Sequence, residues 1–274
     1  MTPGAQRIAE AGPQAEAAGA APGLSASWRH PGVLRGLSIA LVLCLWEIGG
    51  RVPISPSFPT LGETAVATVE MVRDGSLPYA LAITLVPLAI GIAISAAIGV
   101  GLGVAMGLSE RAEWLGVPVF IVLQAAPLAA LVPIVILAYG IGLTTKVLIV
   151  CIMSMPVIVL NSFKAVRHAP ASLIEMGRSF QGTRGQVIAK IILPAAAPVI
   201  LAGIRLGIAS GFIGAVLAEL LVTPTGVGDI ITYSQSVGDY PRMYGAIASI
   251  VAVSVLFIEL LGQVERRYLR VEVR

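Results

Sequence analysis

Six long apolar runs constrain this chain more than any other feature: residues 35–50, 80–108, 115–139, 144–163, 195–222 and 244–263. A bilayer core of roughly 30 Å needs about 20 apolar residues in a helix. No water is available there for unpaired backbone groups, so each run must satisfy its own hydrogen bonds. The predicted fold is therefore an all-α polytopic membrane protein with six transmembrane helices. The second run exceeds what a bilayer requires and is expected to tilt or project. Pro118, Pro127 and Pro133 interrupt the third, which predicts a kinked helix lining an interface. Charged residues make up 12% of the chain, against about 25% in a soluble domain, in keeping with a lipid environment.

Residues 1–27, rich in Ala, Gly, Pro and Gln, read as a disordered cytoplasmic tail without a signal peptide. The membrane domain then occupies 28–274, with Trp28, Arg29 and Arg35 as an interfacial anchor before the first span. With both termini inside, the inner segments hold thirteen Lys and Arg, while Arg51, Arg73, Lys146 and Arg242 lie outside and Arg205 falls within a span. The positive-inside bias selects this orientation. On the outer side, Thr60 and Glu63 form a Thr-x-x-Glu capping box, opening a helix over 60–73. Its apolar face is expected to include Leu61, Thr64, Ala65, Thr68, Val69 and Val72. Residues 223–243 form a second outer element, suited to meeting an external protein that delivers a ligand.

Several functions lack their residues. Lys146, Lys164 and Lys190 all lack a preceding phosphate-cradling glycine loop. Gly99, Gly101, Gly103 and Gly107 lie inside an apolar helix with no strand before them, so they read as close helix packing and not as a dinucleotide site. His30 and His168 have neither metal spacing nor a nucleophile partner. Cys44 and Cys151 fall in apolar runs as packing residues. A net charge of +3 gives no reason to expect nucleic acid. The chain is expected to be no enzyme, with no metal and no cofactor of its own.

The polar stretch ASLIEMGRSFQGTRGQVIAKIILP, residues 171–194, separates two spans on the cytoplasmic side. Pro170 and Ser172 can open a short helix with Glu175 in its first turn. Gly182 and Gly185 flank a turn, and Thr183 can cap a second helix running to Leu193. Val187, Ile188, Ile191 and Ile192 form the apolar face of that helix. Pro194 is expected to break the ladder and restart the chain as the fifth span.

This stretch resembles the EAA loop of ABC importer permeases, whose pattern is Glu-Ala-Ala, three residues, Gly, nine residues, Ile-x-Leu-Pro. Glu175, Ile191, Leu193 and Pro194 match it; Met176-Gly177 stand where Ala-Ala is usual, and Gln181 stands at the motif glycine, with Gly182 next to it. The resemblance extends over about residues 55–270, nearest to the nitrate/sulfonate/taurine subfamily. It includes FPTLGET, GVGLGVAMGLSE, QAAPLAALVPIVILAYGIG, PVIVLNSFKAVR, GIRLGIASGFIGAVLAEL with TGVGDII, and ERRYLR.

The resemblance implies a type I importer permease in the bacterial inner membrane, with cytoplasmic coupling helices within residues 170–194. Two copies, expected as a homodimer, would enclose the path. Two ATP-binding subunits would use ATP beneath them, and a periplasmic or lipid-anchored solute-binding protein would dock outside. Contact with the ATPase would fall to Glu175, Gly177, Arg178, Gln181, Gly182 and Arg184. Gln124 in span three, and Arg205 and Glu219 in or at the end of span five, are candidates for lining the path, since polar groups at that depth are costly. Arg205 could attract an anion, but could equally pair with a carboxylate or snorkel toward the inner headgroups; Glu259 in span six marks either a pathway or an internal pair. Span five's Gly207, Ser210, Gly211 and Gly214 suit a tight dimer or bundle contact. The expected cargo is a small anion. The alternative is a secondary transporter driven by an ion gradient, disfavoured by six spans without a clear inverted repeat.

Overall fold

A computed structural model describes residues 31–52, 57–221 and 225–268. The expected 1–27 tail, the Trp28 and Arg29 anchor and the final residues of ERRYLR lie outside them. The helices are α1 (Pro31–Arg51), α2 (Leu61–Arg73), α3 (Ser76–Leu108), α4 (Glu110–Ala125), α5 (Val132–Tyr139), α6 (Leu143–Arg167), α7 (Ala171–Ser179), α8 (Arg184–Val187), α9 (Leu193–Leu221), α10 (Val227–Val237) and α11 (Tyr240–Tyr268). Among the described residues, five continuous helices are long and apolar enough to cross a membrane, and α4 with the segment Leu128–Tyr139 counts as a sixth when the bent pair is taken as one span.

That third span is bent by 89°, far more than a proline kink. Ala126 precedes Pro127 and takes extended backbone, as the proline ring demands of its neighbour. A short 3₁₀ turn, Leu128–Leu131, follows, and Pro133 sits in the first turn of α5, where its missing N–H costs nothing.

The centre of the bundle is α6, packed between α3 and α9. Apolar side chains gain little from leaving lipid for protein, so close backbone approach has to hold such helices together. Gly91, Ser95, Gly99, Gly103 and Gly107 recur every fourth residue along α3 and lie against α6. A Cβ on Gly103 would stand 2.6 Å from the Val159 carbonyl oxygen. Gly101, expected in this contact, points away from any neighbour. From the other side Gly203, Gly207 and Gly214 of α9 press on Asn161, Ile158 and Met153 of α6, while Gly211 meets Leu88 and Ile92 of α3. These glycines thus build the interior of one chain. Ile158 is fully buried, wedged between Gly99 and Gly207.

The end of the bundle opposite the 171–194 loop is made by α2 and α10. The Thr60–Glu63 capping box is present in both directions, and Glu47 of α1 accepts hydrogen bonds from the Leu61 and Gly62 N–H groups, strengthening the same helix start. Trp46, Phe58 and Tyr244 form an aromatic cluster that ties α1 to α11. The buried face of α2 is Thr64, Ala67 and Met71, with Ala65, Val69 and Val72 exposed. It is rotated from the expected stripe because Gly245 of α11 admits Thr68 and Met71. At the α2–α3 corner, hydrogen bonds from Ser76, aided by the nearby Arg242 guanidinium, hold the Asp74 carboxyl below the usual aspartate range.

Candidate functional site

The 171–194 segment folds as two short helices joined by a tight turn. Helix α7 begins at Ala171 with Pro170 at its cap, and the Leu173 and Ile174 N–H groups reach the Pro170 carbonyl. Its first turn holds no acid: Glu175 lies in the second, a correction that follows from the helix starting ahead of Ser172. The end of α7 is a Schellman motif, in which the Gly182 N–H donates to the Gly177 carbonyl and the Gln181 N–H to that of Arg178. The motif requires a left-handed residue, and Gln181 supplies it at φ 56°. Gly182 is needed for space, since a Cβ there would lie 2.8 Å from the Gly177 carbonyl oxygen. Thr183 then starts α8 with a capping box shared with Gln186, as its position predicts.

Pro194 does not restart the chain. From Arg184 to Leu221 the backbone is one helix of 38 residues, widened at Ile188–Ile192 into a π turn in which the Leu193 N–H reaches the Ile188 carbonyl. The wider ring admits Pro194 without ending the ladder. Gly177 lets α7 lie directly on this turn: it is buried, and a side chain there would collide with Ile191.

These contacts sort the candidate coupling residues. Gly177 and Gly182 shape the turn, and Gln181 carries its left-handed bend. Glu175 projects into solvent between two flanks. One flank bears Ile174 and Arg178, which with Arg184 and Gly182 line a cleft of about 380 Å³ against the ends of α3 and α6. The other exposes Leu173, Met176 and Phe180, the last at 81%. This apolar patch is absent from the sequence reading, although an aromatic residue in a polar loop is a signal that could have found it.

The path candidates are not gathered into one site. Gln124 is exposed near the end of α4, beside the break in the third span. Arg205 is partly buried, its guanidinium lying against α11 about 3.5 Å from where a Gly262 side chain would begin. Glu219 is enclosed, which corrects its expected place along a path. Its carboxylate accepts from the Lys146 ammonium at 3.2 Å, the Thr84 hydroxyl at 2.8 Å and the Gly228 N–H at 3.1 Å. Lys146 also donates to Thr225. The sequence reading counted Lys146 among the charges of the outer segments; it is buried in the first turn of α6. The cluster pins α3, α6, α9 and the start of α10 together at the end of the bundle opposite the 171–194 loop.

Residues 97–270 match the family described as the binding-protein-dependent transport system inner membrane component. This chain belongs to that family. The riboflavin transport system permease protein RibX of Chloroflexus aurantiacus is 33% identical over 86% of this chain and 90% of its own length. The putative aliphatic sulfonates transport permease protein SsuC of Bacillus subtilis is 30% identical over 94% and 97%. The taurine transport system permease protein TauC of Escherichia coli is 26% identical over 81% and 82%.

Among solved structures, an amino acid ABC transporter shares the fold with a TM-score of 0.58 at 18% identity, covering 73% of this chain and 97% of that one. A methionine transporter, MetNI, does so with 0.53 at 20% identity, covering 74% and 96%. The chain is thus an inner-membrane permease subunit of an ABC importer with the type I fold, a non-catalytic component. Membership implies a separate ATP-binding subunit and a solute-binding protein, and it removes the secondary-transporter alternative.

Proposed function

We propose that α7 is the surface gripped by the ATP-binding subunit, and that two copies of this permease enclose the path for a small organic solute. The observation that carries this reading is the exposed face of α7. Leu173, Met176 and Phe180 form one flank of Glu175 on a helix whose inner side is locked to the fifth span through Gly177 and Ile191. An exposed apolar patch beside a charge suits a protein groove. Rigid seating on a span suits the transfer of motion.

In this reading residues 28–274 form the permease domain, both termini and the 170–194 loop face the cytoplasm, and two ATP-binding subunits use ATP on behalf of a homodimer. The solute-binding protein docks on the outer surface made by α2 and α10. Aliphatic sulfonates and taurine are the first solutes to try, because the names of SsuC and TauC give them; RibX adds riboflavin. Gln124, the exposed path candidate, is proposed to line the route beside the broken span. Lys146 and Glu219 are proposed to hold its outer end together.

The test is co-expression of the tagged chain with its ATP-binding subunit. Stoichiometric co-purification, lost in Glu175→Lys at normal membrane levels, supports the reading. Retention of the ATPase by that variant, with ATP-driven solute uptake intact in vesicles, overturns it.

A further inference from the structure

On the Arg178 flank of α7, away from Phe180, the 380 Å³ cleft opens between the loop and the ends of α3 and α6. Its wall is apolar, with Leu108, Val166 and Ile192 among its residues, and its rim carries Arg167, Arg178 and Arg184. Arg167 is engaged by Glu113 at 3.5 Å. Arg178 and Arg184 have no carboxylate partner among the described residues. Two guanidinium groups without a carboxylate partner therefore line a hollow of mixed polar and apolar surface at the level where two membrane spans end.

We propose that this cleft seats the headgroup of an anionic phospholipid of the inner leaflet, with Arg178 and Arg184 holding the phosphate and the apolar wall receiving the first carbons of the acyl chains. Guanidinium groups present paired donors that match phosphate oxygens, and juxtamembrane arginines attract anionic lipid. A protein segment is the less suitable occupant. The cleft's apolar wall is built from span ends and the root of the fifth span, whereas the apolar surface offered to a soluble partner lies on the other flank of α7. The inference rests on the loop facing the cytoplasm. It assigns Arg178 and Arg184 to lipid and leaves Glu175 to the ATPase.

The test uses the full chain alone, reconstituted in phosphatidylcholine bilayers containing a minor fraction of phosphatidylglycerol, then extracted and weighed by native mass spectrometry. The wild type is expected to retain phosphatidylglycerol in preference to phosphatidylcholine. Arg178→Gln/Arg184→Gln should reduce that retention on the order of ten-fold, and Arg178→Lys/Arg184→Lys should restore most of it. Equal retention by the Gln variant and wild type overturns the proposal. Displacement of the lipid by added inorganic phosphate assigns the site to a free anion and also overturns it. So does a Gln variant that loses the ATP-binding subunit while keeping the lipid, since the cleft then belongs to the protein partner. Because the lipid measurement needs no ATPase, it stands or falls separately from the Glu175→Lys experiment.

Discussion

The Lys146 ammonium lies 3.2 Å from a Glu219 carboxylate oxygen, with side chains 6% and 0% exposed. Seventy-three residues separate them in sequence, and the pair joins the first turn of α6 to the C-terminal end of α9. Glu219 also accepts from the Gly228 N–H at the start of α10, where the helix dipole favours an anion. The pair is therefore one node of a network.

Breaking such a pair from one side strands a buried charge, at a cost of about 3–5 kcal/mol. Lys146→Met and Glu219→Gln should each lower the melting temperature in detergent sharply. The double variant should recover part of the loss, giving a positive coupling energy in a double-mutant cycle. Recovery should remain incomplete, because the Gly228 N–H loses its ionised acceptor.

Gln181 occupies a left-handed conformation in which a Cβ is unfavourable by about 1–2 kcal/mol. Gln181→Gly should stabilise the loop by up to about 1 kcal/mol after the added chain entropy is subtracted. Gln181→Val should be destabilising. Hydrogen exchange at the Gly182 N–H, which closes the Schellman motif, reads the effect directly.

Phe180 exposes 81% of its surface and makes little contribution to the isolated chain's packing. Phe180→Ala should leave the melting temperature almost unchanged while weakening association with the ATP-binding subunit, by about 2 kcal/mol if Phe180 is an interface anchor. Titrating the purified ATPase against reconstituted permease measures this. An unchanged affinity would place the docking surface elsewhere on the loop.

Asp74 has a folded-state value lowered by Ser76 and Arg242. The sign follows: its contribution is present above the ordinary aspartate range and is lost as pH falls through the lowered folded value. Stability of the outer corner should decline with acid, and Asp74→Asn should abolish that part of the decline. Melting temperatures of both forms across the acidic range check it.

Much of the architecture was legible because lipid leaves the chain few choices. Apolar length identified the spans, and Thr60 and Thr183 announced their helices by side-chain chemistry. The features that were missed depend on contacts between distant segments. Nothing local to Lys146 indicates that Glu219 will enclose it, so it read as a loop charge. Pro194 normally marks a boundary; only the π turn before it lets the helix continue. Three prolines in the third run predicted bending, but its size depended on Ala126 and Pro127 falling together at the break. The candidate coupling residues came from a motif, which located the loop without showing which side of α7 each residue would occupy. Phe180 falls at one of the motif's unspecified positions, so the motif gave it no role, and its exposure in the folded loop brought it out.

The unbroken helix from Arg184 to Leu221 has a mechanical consequence. Arg184 begins it beside the α7 turn and Glu219 sits near its far end, a distance of about 50 Å at 1.5 Å per residue. The two ends belong to one helix, whose hydrogen-bond ladder is interrupted at the π turn Ile188–Ile192 and at Pro198. A displacement applied at the Arg184 end can be absorbed at those two places or delivered to the Lys146–Glu219 pair at the other. Their stiffness thus sets how much of a movement at the loop reaches the ion pair.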